Sequence, residues 1–566
     1  MGDFSKRGAG AWLFFMCVAL TEPTVAWAQT NLPSTVQPGQ IERRLQPGPA
    51  PRSTLQEVLP AVPKERLPPT QAEKIHFTLS RLDIVGATVY AGPELLPLYQ
   101  PDLGKRISVA DLYKIADAIT VKYRNDGYIL SRAFVPEQRL KDGSARIEVI
   151  EGYVDALRFD GRPPGREDLF RYYTEQITHS RPLQLAVLER YLLLAGDLAG
   201  ANVRSVFEPS ATNVRAATLV VIFAEKQFDL QGGLDNRGTR TLGPLELSAG
   251  GGANDVLGIY DRTAFNFLIT PQAAQELQYY NLIQEETLDG EGTKASLALT
   301  YVRTHPGDIL SPLDVEGRDT TVAFNLSHPF IRSRNENLSG SLSFRWEDVT
   351  TDELGAKAAD DQVRSLILGG SYDFSDAWRG INQFLAAIHQ GLPILAATPD
   401  GNALASRPGA DTTFTKLTFN ASRQQDLGQG FSVVAQSAAQ YSFNPLVISE
   451  QFAYGGEPFG RAYDPSELTG DSGIEGSLEL DFAPGINDNL LRSAVLFGFY
   501  DAGLVYDRIH PNSSGYASGT SAGLGVRLTP VPWLIGSVEA DKPLTRVVAA
   551  EGNKDWRFFF RLSVRY

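Results

Sequence analysis

Two oppositely charged residues have the types and surroundings of a buried ion pair. Asp501 lies in residues 499–503, FYDAG, on an otherwise apolar segment. Arg461 lies upstream, in a connection rich in glycine and aromatic residues. A charge that leaves water needs a partner of opposite sign, because the lost hydration is costly. We therefore predict that Arg461 and Asp501 pair with each other.

The histidines do not have the spacing of a metal or catalytic site. The chain has six, and they lie far apart. They are His76, His179, His305, His328, His389 and His510. The short spacings of metal ligands are missing, and no nucleophile stands beside a base in the sequence. We therefore predict no catalytic residue, no metal site and no enzyme.

Composition argues against nucleic-acid binding, nucleotide binding and cysteine chemistry. The net charge of −14 argues against nucleic acid as a partner, because phosphate-binding surfaces are basic. The run Gly250-Gly251-Gly252 lacks the helix and the lysine of a nucleotide-binding loop. The one cysteine, Cys17, lies in the N-terminal leader, so the mature chain has neither a disulfide nor a thiolate site. We expect no cofactor.

Residues 1–28 have the pattern of a secretory signal peptide. Lys6 and Arg7 form a positive start, an apolar run follows at residues 11–20, and Ala26-Trp27-Ala28 is a small-x-small cleavage site. After it, no apolar run approaches the roughly 18 residues that a membrane helix needs. If the exported chain spans a bilayer, it does so with strands, which must close into a barrel to pair their backbone.

The last segment, residues 556–566, has the pattern of a barrel strand. Alternate residues place six apolar side chains on one face and three arginines on the other, with the period of two of a strand. The apolar residues are Trp556, Phe558, Phe560, Leu562, Val564 and Tyr566, and the arginines are Arg557, Arg561 and Arg565. A strand of a soluble sandwich is the alternative. The membrane interpretation places the arginines on the lumen wall.

The rest of the C-terminal region decides between a membrane barrel and a soluble sandwich. From Phe228 onward, about sixteen alternating segments recur between turns, an even number as in most bacterial barrels. One connection, residues 444–472, is far longer, and it contains FAYGGEPFGRAYDPSELTG with Arg461. Loops of this length are usually functional. We predict an all-β, antiparallel, sixteen-stranded transmembrane barrel over residues 227–566, closed between the last segment and the one near Phe228.

Smaller units precede the barrel. Residues 75–153 and 154–226 each show the order strand, helix, helix, strand, strand, which predicts two α+β domains. Ser108 and Asp111 form a capping box that starts the long helix of the first domain. Each domain ends on an exposable strand edge, which can pair with an extended chain. Residues 29–74 are rich in proline and predict a linker, with room for a short helix only at residues 40–46.

These features resemble a known family. The chain is similar to the outer-membrane transporters of two-partner secretion, the TpsB proteins of the ShlB/FhaC/HecB haemolysin secretion/activation type, within the POTRA-plus-barrel superfamily that includes BamA and TamA. In that family a long loop enters the lumen with a V-R-G-Y tip, and its arginine pairs with the aspartate of an F-x-D-x-G strand motif. The matching residues here are Gly460, Arg461, Ala462 and Tyr463 at the tip, and Phe499, Asp501 and Gly503 on the strand.

The resemblance implies a function. It implies that two periplasmic POTRA domains capture an unfolded TpsA-type exoprotein by strand addition, and that the barrel secretes it across the outer membrane of a Gram-negative bacterium. Activation of a haemolysin or adhesin cargo stays open. A plug helix is implied between residues 29 and 46. The last strand resembles the signal that the barrel assembly machinery reads, carried by Phe558, Phe560, Leu562, Val564 and Tyr566.

The tip departs from the family at two positions, and one other function stays open. Gly460 replaces valine and Ala462 replaces glycine, so a positive φ at Ala462 would be strained. The alternative function is assembly of other barrels, as in BamA and TamA, although such proteins usually carry more POTRA domains. A passive porin would explain the barrel and not the two domains.

Overall fold

The computed structural model describes residues 32–46, 51–52, 69–140, 142–161, 166–486, 488, 491–509 and 515–566. The predicted signal peptide, residues 1–28, and part of the predicted linker lie outside the described residues. The α-helices are α1 Pro38–Leu45, α2 Pro69–Ala72, α3 Gly92–Leu95, α4 Val109–Asn125, α5 Glu167–His179 and α6 Leu185–Gly196. No helix in the described ranges is long and apolar enough to cross a membrane.

Among the described residues, eight strands precede the barrel and form two small three-stranded sheets and a short ladder. They are β1 His76–Thr78, β2 Arg81–Val85, β3 Arg106–Ser108, β4 Arg132–Phe134, β5 Ser144–Ile150, β6 Tyr153–Asp160, β7 Ala201–Pro209 and β8 Ala216–Glu225. The first sheet has the order β2-β5-β4 and the second β6-β8-β7, while β1 pairs with β3. In each three-stranded sheet the central strand pairs parallel to one neighbour and antiparallel to the other.

Sixteen strands form one closed antiparallel barrel, as the sequence predicts. They are β9 Phe228–Asp235, β10 Glu246–Asn254, β11 Arg262–Ile269, β12 Leu277–Thr287, β13 Lys294–Thr304, β14 Glu316–Arg332, β15 Glu336–Glu353, β16 Ala356–Ser375, β17 Gly380–Gly391, β18 Thr415–Gly428 and β19 Phe431–Ser442, followed by β22 Ser472–Phe482, β23 Ser493–Tyr506, β24 Tyr516–Val531, β25 Leu534–Pro543 and β26 Arg557–Arg565. Two short strands, β20 Phe452–Tyr454 and β21 Leu468–Gly470, pair within the connection between β19 and β22.

The barrel closes where its first and last strands meet. β26 pairs with β9 from Arg561 opposite Asp235 to Arg565 opposite Gln231. Side chains of the last strand alternate between the two faces of the barrel wall. Phe558 is 69% exposed on the outside, while Phe559 is buried on the lumen side. Outward apolar residues face lipid, and the backbone groups of every strand pair with its neighbours.

The two α+β domains follow the predicted order, with differences of detail. The first strand of the predicted order consists of two strands, β1 and β2. The first predicted helix is α3 followed by a 3₁₀ turn, Leu96–Leu98. Pro97 accounts for this, because proline cannot donate the hydrogen bond that would continue an α-helix. The predicted capping box is confirmed, since the Ser108 N–H donates to Asp111 and the Asp111 N–H to Ser108 Oγ, at 3.0 and 3.2 Å.

The second domain packs on the barrel through turns that join consecutive strands. Tyr260, in the turn after β10, is buried in the apolar core of the domain. Glu291, after β12, accepts from Arg190 and from the Tyr191 hydroxyl, at 2.7 and 2.8 Å. Arg332, at the end of β14, donates twice to Asp197. These turns share one end of the barrel, so the long connection after β19 starts from the opposite end.

Candidate functional site

The connection between β19 and β22 folds back into the barrel lumen. The β20–β21 hairpin forms its stem. Its tip carries three of the residues singled out from the sequence, and their side chains are buried: Arg461 is 6% exposed, Ala462 0% and Tyr463 2%. The tip therefore lies inside the protein, against the lumen side of β22, β23 and β24.

Arg461 and Asp501 lie in direct contact. The Nε and Nη2 groups of Arg461 donate to the two carboxylate oxygens of Asp501, at 3.1 and 3.0 Å. The backbone N–H groups of Gly460 and Arg461 donate to the same carboxylate at 3.1 and 3.0 Å. Asp501 is completely buried. One carboxylate thus holds the tip through its backbone and through its side chain, a forked geometry that lysine cannot reproduce.

The Arg461 guanidinium has further partners on β22 and β23. Its carbon lies 3.4 Å from the centre of the Phe499 ring. Its Nη1 group donates to Glu479 at 2.5 Å, and its Nη2 group donates to Ser477 at 2.9 Å. Phe499 therefore has a function of its own in the strand motif, since it stacks on the arginine that Asp501 binds.

Glu479 is a member of this cluster that sequence reasoning missed. It accepts from Arg461 and, at 2.8 Å, from Arg527 of β24. The signal was present in the sequence, because Ser477, Glu479 and Asp481 occupy alternate positions of one strand. Polar side chains on one face of a membrane strand indicate the lumen.

The glycines explain how the tip fits, and they correct one expectation. The positive φ falls on Gly460, at +83°, and not on Ala462, so no strain arises at Ala462. A Cβ at Gly460 would lie 2.7 Å from the Tyr454 ring, and a Cβ at Gly503 would overlap the same ring. Tyr454 is thus held between the tip and β23, where any side chain at either glycine would displace it.

Lumen-facing arginines hold the rest of the inward connection. Arg557 donates to the Ala462 carbonyl at 3.0 Å and to Asp464 at 2.7 Å. Arg561 lies 2.5 Å from Glu457. Arg237, after β9, donates to the Arg461 carbonyl at 3.2 Å. The third arginine of the last strand, Arg565, is exposed at the end of β26, where its N–H donates to the Trp533 carbonyl.

A second element, α1, also lies in the lumen. The helix overlaps the predicted range, residues 40–46, but begins earlier, at Pro38, because proline suits the first turn of a helix. Arg43 lies 2.5 Å from Glu450 in the inward connection, and Gln40 donates to the Ile448 carbonyl at 2.5 Å. Arg44 lies 2.7 Å from Glu246 of β10. The helix therefore contacts both the inward connection and the barrel wall.

The predicted C-terminal signal residues lie on the outside of the barrel. Phe558, Phe560, Leu562, Val564 and Tyr566 are all exposed, Tyr566 to 76%. The Tyr566 carbonyl accepts from Lys226, at the end of the second α+β domain, at 2.8 Å. This places the chain terminus at the same end of the barrel as the two domains.

Two cavities, a groove and a vestibule, are lined by α6. The groove, of about 780 Å³, follows the free edge of β7 and is lined by Val206, by Leu188 and Leu192 of α6, and by Arg334 of the barrel. The vestibule, of about 620 Å³, lies at the mouth of the lumen. The vestibule is lined by Leu194 at the end of α6 and by Glu42 of α1.

Comparisons with known proteins agree with this architecture. The model of the ShlB-type POTRA domain matches residues 77–152, and the model of the haemolysin secretion/activation proteins ShlB/FhaC/HecB matches residues 219–527. The heme/hemopexin transporter protein HuxB of Haemophilus influenzae (strain 86-028NP) is 23% identical over 530 residues, which cover 91% of this chain and 92% of HuxB.

Two CdiB proteins are also similar. The outer membrane transporter CdiB of Escherichia coli O6:K15:H31 (strain 536 / UPEC) is 26% identical over 490 residues, which cover 83% of this chain and 79% of that protein. The solved structure of CdiB from Escherichia coli superposes with a TM-score of 0.70 at 19% identity and covers 91% of this chain and 94% of that one. This structural likeness shows a common fold.

Proposed function

The chain belongs to the ShlB/FhaC/HecB family of haemolysin secretion/activation proteins, and we propose that its POTRA domains capture an unfolded exoprotein by strand addition before the barrel secretes it. It is an outer-membrane transporter of two-partner secretion, with its POTRA domains in the periplasm. The partner is a TpsA-type exoprotein. Folding of that protein outside the cell supplies the direction of transport.

Capture takes place at the free edge of β7. This strand pairs with β8 on one side and has no strand neighbour on the other among the described residues. Val206, on β7, is 54% exposed. An extended chain that pairs with β7 gains backbone hydrogen bonds, and its alternate side chains enter the apolar groove beside α6. Recognition of this kind suits many sequences, because most of the binding energy comes from the backbone.

The single observation that carries the proposal is that one helix, α6, lines both this groove and the vestibule at the mouth of the lumen. Arg334, in the turn after β14, lines the groove and lies 3.4 Å from Glu189 of α6. The same helix reaches the vestibule with Leu194. A chain bound along β7 therefore lies beside the helix whose end lines the vestibule.

The wall of the vestibule suits an unfolded chain in transit. The part formed by β15, β16 and β17 carries small, uncharged residues, among them Ser341, Gly370 and Ala386. Such a surface offers few anchors for passing side chains. Glu42 of α1 lies in the same lining, so an outgoing chain meets the plug helix next.

Transport requires that two elements move. The first is α1, and the second is the inward connection, whose tip is held by the Arg461–Asp501 lock. We assign gating to this lock, formed by Gly460, Arg461, Ala462 and Tyr463 with Phe499, Asp501 and Gly503. Its central contact is the fork of Arg461 on Asp501. Glu479, Arg237 and Arg557 hold the same tip, so their contacts must also open before the tip leaves.

The outward-facing residues of β26 have a role in the assembly of the barrel, which precedes transport. We assign to Phe558, Phe560, Leu562, Val564 and Tyr566 the recognition of the new chain by the barrel assembly machinery. The family model that the barrel matches is that of secretion/activation proteins, which favours secretion over the assembly of other barrels.

Site-specific crosslinking tests the capture proposal. The mature chain has no cysteine, so Val206→Cys and Arg158→Cys each introduce one unique thiol for a benzophenone label. Arg158 is the matched control, because it lies on β6, the other edge strand of the same sheet. We expect exoprotein to crosslink at position 206 and at most weakly at 158. Equal crosslinking at both edges, or none at 206 while secretion continues, would refute capture at β7.

A further inference from the structure

Three carboxylates meet in the lumen where α1 touches the barrel wall. They are Glu42 of α1, Asp319 of β14 and Glu347 of β15. One oxygen of each lies within 4.8 Å of the others, and all three residues are completely buried. None of them contacts the Arg461 lock, so they form a separate cluster.

Strand register brings the two wall residues together. Thr321 of β14 lies opposite Glu347 of β15, and Asp319 lies opposite Val349. Asp319 and Glu347 are therefore diagonal neighbours on the lumen face, a position from which long side chains meet. Glu42 approaches them from the plug helix, so the cluster joins two elements that transport must separate.

The positive charges nearby do not balance the three carboxylates. Arg345 donates to Glu42 at 2.6 Å and to Glu347 at 3.1 Å. Arg43 is 4.0 Å from Glu347, but it is bound at 2.5 Å to Glu450. Among the described residues, Arg345 is thus the one cation that donates hydrogen bonds to the cluster, and Arg43 is the one other cation paired with it, 4.0 Å from Glu347 Oε2. Buried carboxylates without compensation are strongly unfavourable.

Two oxygens of the cluster also have no donor. Asp319 Oδ1 accepts from the Thr321 hydroxyl at 3.0 Å. Asp319 Oδ2 and Glu347 Oε2, in contrast, are buried and have no hydrogen-bond partner among the residues that the structure describes. Buried polar atoms are almost always paired, so two such oxygens on adjacent strands indicate a positively charged ligand between them.

We propose that Glu42, Asp319 and Glu347 bind one divalent cation, Ca²⁺. All the donors are carboxylate oxygens, which hard cations prefer. Ca²⁺ binds oxygen at about 2.3–2.6 Å and therefore holds two ligands up to about 5 Å apart. The three carboxylate oxygens all lie within 4.8 Å of one another, a span that Ca²⁺ reaches.

The cation fastens the plug helix to the barrel wall. One of its ligands belongs to α1 and two belong to the wall, so α1 cannot leave the lumen without breaking a metal–ligand bond. Ca²⁺ thereby stabilises the closed state, and its removal favours the open one. This inference rests on the position of α1 and holds whatever the transported cargo is.

Calcium binding to the purified full-length protein tests the site. The protein in detergent is freed of metal with a chelator, and ⁴⁵Ca²⁺ binding is measured by equilibrium dialysis. We expect one saturable site, with affinity at least tenfold lower in Asp319→Asn and in Glu42→Gln. Glu246→Gln is the matched control, because it removes another acidic partner of α1 outside the cluster, and we expect its affinity to change less than twofold.

A spin label on the plug gives a second readout. Leu45→Cys places the label at the end of α1, and the one other cysteine, Cys17, lies in the predicted signal peptide. We expect a chelator to increase the mobility of the label, and Ca²⁺ to reverse the change, in the otherwise unaltered protein and not in Asp319→Asn. Heat-modifiable migration in a gel verifies that each barrel is folded.

Two outcomes would overturn the proposal. The first is the absence of saturable Ca²⁺ binding by the folded protein, and the second is binding that Asp319→Asn leaves unchanged. If the protein binds no cation and infrared spectra show a protonated carboxyl that Asp319→Asn removes, a shared proton balances the cluster, and the cation site is wrong.

Discussion

The guanidinium of Arg461 lies over the ring of Phe499, with 3.4 Å between the guanidinium carbon and the ring centre. Phe499 and Asp501 are two residues apart on β23, so both side chains face the lumen. The ring binds the face of the guanidinium while the carboxylate binds its edge. The strand motif is therefore a receptor for one planar cation, which explains why its residues occur at alternate positions.

Arg461→Lys tests whether this planarity matters. Lysine keeps the charge but cannot form the two parallel hydrogen bonds or the flat stacking contact. We expect the tip to become accessible to added protease and secretion to fall several-fold, with the barrel still folded. Arg423→Lys is the matched control, because it changes an arginine paired at 2.6 Å with Asp376, far from the tip. Unchanged secretion by Arg461→Lys would contradict a role of the lock in gating.

Removal of the charge has a larger expected effect. Arg461→Ala leaves Asp501 and Glu479 buried with fewer donors, and breaking a buried pair typically costs about 3–5 kcal/mol. We expect a lower urea midpoint for the exposure of the tip, measured by labelling of a cysteine placed at Ala462. The exchange of the two charges, Arg461→Asp with Asp501→Arg, should recover part of the loss. No recovery would show that the surrounding residues, and not the pair, determine the stability.

The fit of Tyr454 gives a test at a position without charge. A Cβ at Gly503 would overlap the Tyr454 ring, so Gly503→Ala should displace it and loosen the tip. Tyr454→Ala in the same chain removes the overlap. We expect the double variant to retain more secretion than Gly503→Ala alone. Additive losses in the two single variants would contradict the steric explanation.

The sequence predicted the barrel and the Arg461–Asp501 contact, because both depend on local patterns. Alternation along residues 556–566 determines which residues face lipid, and an isolated Asp501 on an apolar strand needs a partner. The cluster of Glu42, Asp319 and Glu347 left no such signal. Its members come from three distant segments, and their approach depends on how α1 enters the lumen. Pro38 illustrates the limit, since a proline that indicated a linker proved to be the start of a buried helix.

The first POTRA domain shows a pH effect at the start of α4. Hydrogen bonds from Lys114 and then Ser108 lower the pKa of Asp111 to about 2. Since the unfolded pKa is higher, at about 3.9, Asp111 stabilises the domain above pH 4 and loses this effect as the pH falls through 2.

Urea unfolding of residues 69–226, followed by circular dichroism at pH 5 and pH 2.5, tests this effect. We expect Ser108→Ala to lose about 1 kcal/mol of stability at pH 5, because an N-cap is removed. The unaltered fragment should lose more stability between the two pH values than Asp111→Asn does. Equal losses in both would show that Asp111 does not contribute.

Deletion of Tyr566 separates assembly from transport. We expect less folded barrel in the outer membrane but a normal amount of secreted exoprotein for each folded barrel. Lys226→Ala is the control, since it removes the hydrogen bond to the Tyr566 carbonyl and leaves the aromatic end intact. If Lys226→Ala reduces the folded barrel as much as the deletion does, the contact and not the terminal aromatic residue is responsible.

Passage of the exoprotein through the lumen is tested most directly by fastening the plug helix to the wall. A Cβ at Gly317 of β14 would lie 3.1 Å from the Pro38 side chain but would overlap the Thr304 hydroxyl. Pro38→Cys and Gly317→Cys are therefore combined with Thr304→Ala, so that the two thiols can form a disulfide in a predicted mature chain that has no other cysteine. We expect secretion to stop when this disulfide is oxidised and to resume when it is reduced, with the same amount of folded barrel. If secretion with the disulfide intact is as high as secretion after its reduction, transport through the lumen is contradicted.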